Sequence, residues 1–298
     1  MDVGWQPLRD GVRALLLFTC VLISAAGASA QSPTPTPTPA PQASPTPTLE
    51  SRFFKNILRD QRAIWTSPFH LSRGDAKWAV PLGLSAVALL ATDQETDEFG
   101  YNRRRMSVSR DVSLAGSTYG TAGVAAAFYL AGRATGNARA RETGLLGGEA
   151  LIDGAIVFSV LKNVARRQRP GHDEGQGEFF EGGHSFPSGH ATSAWALATV
   201  IANEYRHRRS VQIAAYGLAT AVSLSRYTGR NHFLGDVLVG SAIGYGIGRY
   251  VYRTHHDPSL DSPEGQTTRD TQSKRFPLIA TRYNRSARTY GLTLAWDF

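Results

Sequence analysis

Three short polar clusters interrupt the apolar middle of the chain, and their residue types suit chemistry on an anion. The first is Lys162-x6-Arg169-Pro170. On a continuous helix seven positions are nearly two turns, so the spacing predicts both cations on one face, with Pro170 ending the helix. Alone, such cations commonly only complement a helix C-terminus and face solvent, the role expected of the adjacent Arg166 and Arg167. The second cluster is Pro187-Ser188-Gly189-His190, followed by a helix-like run over 191–195. Ser188 or Gly189 falls where an N-cap belongs. Free backbone N–H groups, a positive dipole end and a glycine that permits close approach would form a phosphate cradle with a histidine at its rim. The third is Ser225-Arg226-x5-His232-x3-Asp236. Four positions apart on one helix, His232 and Asp236 would share a face. A carboxylate beside an imidazole fixes its tautomer and leaves the other nitrogen as a nucleophile.

Each cluster alone has an ordinary explanation. Together they supply what phosphoryl transfer requires: cations and a helix N-terminus for the equatorial oxygens, one imidazole to attack in line, and another to protonate the leaving oxygen. The set resembles the signature of the type 2 phosphatidic acid phosphatase superfamily, which includes bacterial non-specific acid phosphatases and vanadium haloperoxidases. Its three parts, Lys-x6-Arg-Pro, Pro-Ser-Gly-His and Ser-Arg-x5-His-x3-Asp, are present without a departure, and the likeness spans residues 78–252.

The resemblance implies a helical bundle with the site between helices and a phosphatase reaction that uses no metal and no other cofactor. It implies that His232 is the nucleophile that becomes a phosphohistidine, that Asp236 orients it, and that His190 is the general acid. Lys162, Arg169, Ser188, Gly189 and Arg226 would hold the phosphate. The substrate expected is a phosphomonoester or pyrophosphate on a small molecule or a lipid, and not nucleic acid. The same residues could hold vanadate, which makes a vanadate-dependent haloperoxidase the alternative. A non-catalytic basic protein that binds the envelope would need cations but neither imidazole, so the intact His190, His232 and Asp236 weigh against it.

The elements that must position these residues are legible in the composition. In 298 residues, 42% are hydrophobic and 19% charged, enough apolar material for a packed core. Mean hydropathy of −0.24 argues against a chain made mostly of membrane spans. The net charge is +8 (32 basic minus 24 acidic residues), which suits anionic partners. Cys20, the single cysteine, excludes an intramolecular disulfide and any CxxC site.

Residues 1–30 read as an export signal: Arg9 and Arg13 precede the apolar run 14–26, and Ala28-Ser29-Ala30 offers a cleavage site. Residues 31–49 form a Pro/Thr-rich linker. Residues 50–253 read as the helical phosphatase domain, with a first helix over 53–65 and apolar stretches at 78–91, 117–132, 145–164, 191–205, 211–227 and 234–252. The fold class expected is all-α, a compact bundle of six or more helices with the active site between them. Residues 254–275 read as a polar loop, with His255 and His256 solvated there or holding a stray metal ion. Residues 276–298 read as a β-hairpin around Asn284-Arg285-Ser286, packed on the domain.

Glu149 and Asp153 share a helix face by spacing and are expected to partner arginines rather than to act as an acid–base pair. His172 and His184 are expected in loops. Arg103, Arg104 and Arg105 are expected in a solvated loop, with anionic head groups as the other use. An export signal places Glu50 outside the inner membrane. Three spans before Arg169 would then turn the site toward the cytoplasm, against what the resemblance implies. A periplasmic domain with contact to the envelope membrane removes the conflict.

Overall fold

The computed structural model describes residues 49–67, 73–97, 116–170, 177–261, 278–284 and 289–295, together with 109 and 112. The signal and nearly all of the linker read from the sequence lie outside the described residues, as do Arg103, Arg104, Arg105, His172 and most of the polar loop.

Helix α1 is Leu49–Thr66, α2 Arg73–Asp97, α3 Thr118–Thr135, α4 Ala138–Ala165, α5 Gly189–Glu204, α6 Arg209–Thr228 and α7 Leu234–His255. A 3-10 turn, Pro258–Asp261, closes the helical part, and strands β1 Leu278–Asn284 and β2 Thr289–Ala295 follow. The strands pair antiparallel with Leu278 opposite Ala295 and Asn284 opposite Thr289.

Helix α5 lies at the centre, packed against α4, α6 and α7, while α3 packs on α4, and α1 lies along α4. Side-chain size sets this arrangement. Helices α5 and α7 meet through small residues: a Cβ on Gly244 would lie 2.2 Å from the Thr192 carbonyl oxygen, and one on Gly248 2.4 Å from that of Ala196. The backbones therefore approach more closely than larger side chains would permit, which brings the N-termini of both helices together. Around this contact, Leu146, Val200 and Val251 are fully buried, and each contributes roughly 1.5–3 kcal/mol by leaving water.

Caps define the α3–α4 hairpin. Ser117 Oγ accepts from the Gly120 N–H (3.0 Å) and Asn137 Oδ1 from the Ala140 N–H (3.0 Å). Gly136, with φ of 69°, makes the left-handed turn between the helices.

Helix α4 is long and apolar enough to cross a membrane by length and composition, although half of its most apolar window is buried in the bundle. Its outer face exposes Ile152, Ile156, Val160 and Val164, four residues apart and thus one continuous apolar stripe.

Candidate active site

The three sequence clusters converge at the end of the bundle where α4 terminates and α5 and α7 begin. Helix α4 stops at Ala165 because Arg166 turns left-handed (φ 45°), its N–H closing on the Lys162 carbonyl. Arg169 therefore lies beyond the helix, and the expectation that it shares a helical face with Lys162 does not hold. Backbone bonds perform the positioning instead: Gln168 N–H donates to Glu178 O (3.0 Å) and Ser185 N–H to Arg167 O (2.9 Å). The Lys162 ammonium donates to the His184 carbonyl at 2.7 Å, while the His184 side chain faces solvent.

Ser188 is the N-cap of α5, yet its side chain makes no capping bond. Its Oγ is buried and has no partner among the described residues, an orphaned polar atom at a helix N-terminus. The Ser188 N–H bonds to the Asp236 carbonyl (3.0 Å), tying the start of α5 to the start of α7. Gly189 is needed for packing as well as for access, since a Cβ there would lie 3.2 Å from the Phe158 ring.

His232 does not share a helix with Asp236, as the four-residue spacing had suggested. It belongs to the tight turn after α6, where the Asn231 and His232 N–H groups both bond to the Arg226 carbonyl (3.1 and 3.2 Å). Asp236 is the third residue of α7, and its Oδ2 accepts from the Phe233 N–H (3.1 Å), a capping contact. His232 Nδ1 is 3.7 Å from Asp236 Oδ2, too far for a hydrogen bond. Ser185 fills the gap: its hydroxyl donates to Asp236 Oδ2 and lies 3.4 Å from His232 Nδ1. The order Nδ1–H, Oγ–H, carboxylate holds one tautomer and leaves Nε2 with the lone pair.

Arg167 was read as a solvated last-turn cation and is instead only 2% exposed. One guanidinium nitrogen donates to Asp236 Oδ1 (2.6 Å) and to Asp93 Oδ2 (2.9 Å). Its Nε donates to Gly177 O (2.9 Å), and the group lies over the rings of Phe233 (4.4 Å) and Phe179 (4.8 Å). Asp93 reaches in from α2 and also accepts from the Gly235 N–H (2.9 Å). Arg167, Ser185 and Asp93 are the site residues that sequence spacing missed. A buried arginine carries no periodic signal, and the other two lie far from Asp236 along the chain.

The charges act on one another across a small space. Burial, followed by the charges of Arg226, of His232 when it is protonated, and of Lys162 and Arg169, lowers His190 to about 3. Burial also lowers His232 to about 4, against the raising effect of Asp236. Lys162 falls to about 8 through burial and then Arg169, and Arg226 to about 10 through burial and the same neighbour. Burial alone would raise Asp236, but His232, the Arg167 charge and Ser185 outweigh it and hold the carboxyl below its usual range. Both imidazoles are thus neutral near pH 7, set among cations that an anion would stabilise.

The remaining polar candidates are corrected by their surroundings. Among the described residues Glu149 and Asp153 partner no arginine: Asn56 donates to Glu149 (3.0 Å) and Gln61 to Asp153 (2.8 Å). Burial lifts both carboxyls to about 7. His255 and His256 are not solvated loop residues: His255 is the last residue of α7 and His256 its C-cap, and both side chains pack inward. His256 bonds to Glu142 (3.1 Å), Glu204 (3.2 Å) and Asp261 (2.7 Å) and stacks on Tyr252.

Comparison with known proteins follows the same residues. The profile of the PAP2 superfamily matches residues 144–259, a range that contains all eight site residues read from the sequence. A 70-residue stretch is 37% identical to the lipid A 1-phosphatase of Porphyromonas gingivalis, covering 23% of this chain and only 16% of that relative. The crystal structure of a transmembrane PAP2 type phosphatidylglycerolphosphate phosphatase from Bacillus subtilis superposes with a TM-score of 0.48 at 22% identity, over 59% of this chain and 94% of that one.

Proposed function

We propose that the PAP2-superfamily domain carried by residues 144–259 is a phosphatase that works through a phosphohistidine at His232 and requires no metal at the reacting centre. The observation that supports this reading is the gathering of two neutral imidazoles, His232 buried and His190 half-buried, with three cations and an orphaned N-cap hydroxyl at one end of the bundle. The phosphate oxygens would take the Ser188 hydroxyl, the backbone N–H groups at the start of α5, and the charges of Lys162, Arg169 and Arg226, with Gly189 leaving the backbone open.

In the first step His232 Nε2 forms a bond to phosphorus while the bond to the leaving oxygen breaks. Asp236, acting through Ser185, stabilises the positive charge that the imidazole acquires. His190 gives its proton to the leaving oxygen. Water then attacks the phosphohistidine, His190 takes the proton from that water, and the phosphorus–nitrogen bond breaks to release phosphate and regenerate His232. A bound dianion reverses the influence of the surrounding cations and raises His190 to a value at which it can serve as an acid.

The substrate favoured is a lipid phosphate or pyrophosphate. Val160 and Val164, 42% and 62% exposed, extend the apolar stripe of Ile152 and Ile156 along the outer face of α4, the side of the helix turned away from Lys162, and so offer a surface for a membrane that carries such a lipid. Exported to the periplasm, the domain would rest this face on the envelope membrane. A comparison of leaving groups tests the assignment. His190→Ala should slow hydrolysis of an alkyl phosphate at least tenfold more than that of a nitrophenyl phosphate, whose leaving group needs no proton. Equal losses for the two substrates would remove His190 from the acid role, and bromide oxidation appearing only with added vanadate would favour the haloperoxidase.

A further inference from the structure

Away from the reacting centre, a second group of ionisable residues lies where α1, α4 and α7 meet. Asp60, Glu149 and His255 bring their ligand atoms within 4.8 Å of one another. Asp153 follows Glu149 by one turn of α4. Asp60 and Asp153 are fully buried and Glu149 is 1% exposed. His255 Nε2 lies 3.0 and 2.8 Å from the two Asp60 oxygens, and the Tyr250 hydroxyl donates to Asp60 at 3.2 Å.

Two observations set this group apart from an ordinary buried network. Glu149 Oε2 and Asp153 Oδ2 are buried and have no hydrogen-bond partner among the described residues. Carboxylate oxygens in that condition are costly to keep out of water. The charges also fail to cancel: three carboxylates face one histidine, and among the described residues no lysine or arginine forms an ion pair with any of the three.

The neighbouring cluster of Glu142, Glu204 and His256 provides the contrast. There Asp261 adds a third carboxylate, but Arg139, Arg206 and His256 supply three cations. That cluster is already balanced as an ion network.

We propose that Asp60, Glu149 and His255, with Asp153 beside them, bind one divalent cation that joins α1 to the bundle. A single ion with bonds of about 2.0–2.2 Å can reach donor atoms this close together, since opposite ligands then lie roughly 4.2 Å apart. Three carboxylates and an imidazole suit Mn2+ or Zn2+ better than Mg2+ or Ca2+, which favour all-oxygen sites. Neutral His255 would turn its Nε2 lone pair to the ion, and the two orphaned oxygens would gain a partner. The site is structural. Glu149 precedes Lys162 by thirteen residues of continuous helix, or about 20 Å along the axis.

The test uses the full chain, stripped with chelator and then titrated with Mn2+ or Zn2+ alone. The expected result is close to one ion retained per chain by elemental analysis. The melting temperature should rise by about 5–10 °C at an ion concentration one hundred times Kd. Glu149→Gln with Asp153→Asn should abolish both effects. Absence of binding and of any thermal shift in the unmutated chain would overturn the proposal, as would equal binding by the double variant. The outcome is independent of the phosphatase reading, because the readouts are stoichiometry and melting rather than turnover.

Discussion

Replacing Arg167 by methionine removes the charge that two buried carboxylates share while keeping most of the side-chain volume. Arg167, Asp93 and Asp236 are 2%, 1% and 0% exposed, so water cannot compensate for the loss. Removing one partner of such a pair costs roughly 3–5 kcal/mol, because the other partner remains as an uncompensated buried charge. The stacking of the guanidinium between Phe179 and Phe233 falls within that range and is not added to it. In a domain of this size 1 kcal/mol moves the melting temperature by about 2–4 °C, so Arg167→Met should melt about 6–20 °C lower. A thermal scan at pH 7 provides the measurement, and a double-mutant cycle with Asp93→Asn supplies the control. Neutralising Asp93 removes one of the charges stranded by the first change, so the pair should lose less stability than the sum of the two single losses. Turnover should fall as well, since Asp236 is then free to shift away from Ser185 and His232. A melting temperature within 2 °C of the parent, or strictly additive losses, would refute the assignment of Arg167 as the clamp on Asp236.

Further outcomes follow from the site. Ser188→Ala removes a buried hydroxyl that has no partner in the empty protein, so stability should hold or rise slightly. Inhibition by inorganic phosphate should weaken about 10–100-fold, the value of one hydrogen bond to a charged group. Because His232 must be neutral to attack and is lowered to about 4, the loss of kcat/KM that reports its protonation should come as pH falls through about 4, well below the usual histidine range. At the other end, Lys162 loses its charge as pH rises through about 8 in the free protein, so phosphate affinity should weaken there. His190 should titrate higher with vanadate bound than in the free protein, and NMR of labelled histidine would show it; an unchanged value would contradict its exposure to the anion.

The elements of the bundle were legible because apolar periodicity and small residues mark helices that pack closely, and the apolar stretches at 145–164, 211–227 and 234–252 lie inside α4, α6 and α7. The clusters that converge at the site were legible as residue types in fixed order. Their geometry was not. Helical spacing placed Lys162 with Arg169 and His232 with Asp236, and in each pair one member lies outside the helix, because a left-handed Arg166 and the turn after α6 intervene. Arg167 looked like any cation near a helix end; only the tertiary approach of α2 and α7 surrounds it with carboxylates and rings. His255 and His256 were misplaced for a related reason. Their polar neighbours in sequence resemble a loop, while the carboxylates that hold them belong to α1, α4 and α5.

Trapping the phosphoenzyme tests the central claim most directly. The full chain, mixed with radiolabelled substrate in the presence of EDTA at a temperature below the melting point of the chelated protein, should be quenched in alkali. The account predicts an acid-labile, alkali-stable phosphoryl group on the protein that is absent from His232→Ala and accumulates with Asp236→Asn only at a reduced rate. Phosphate release that proceeds in His232→Ala, or a label that remains on that variant, would contradict it.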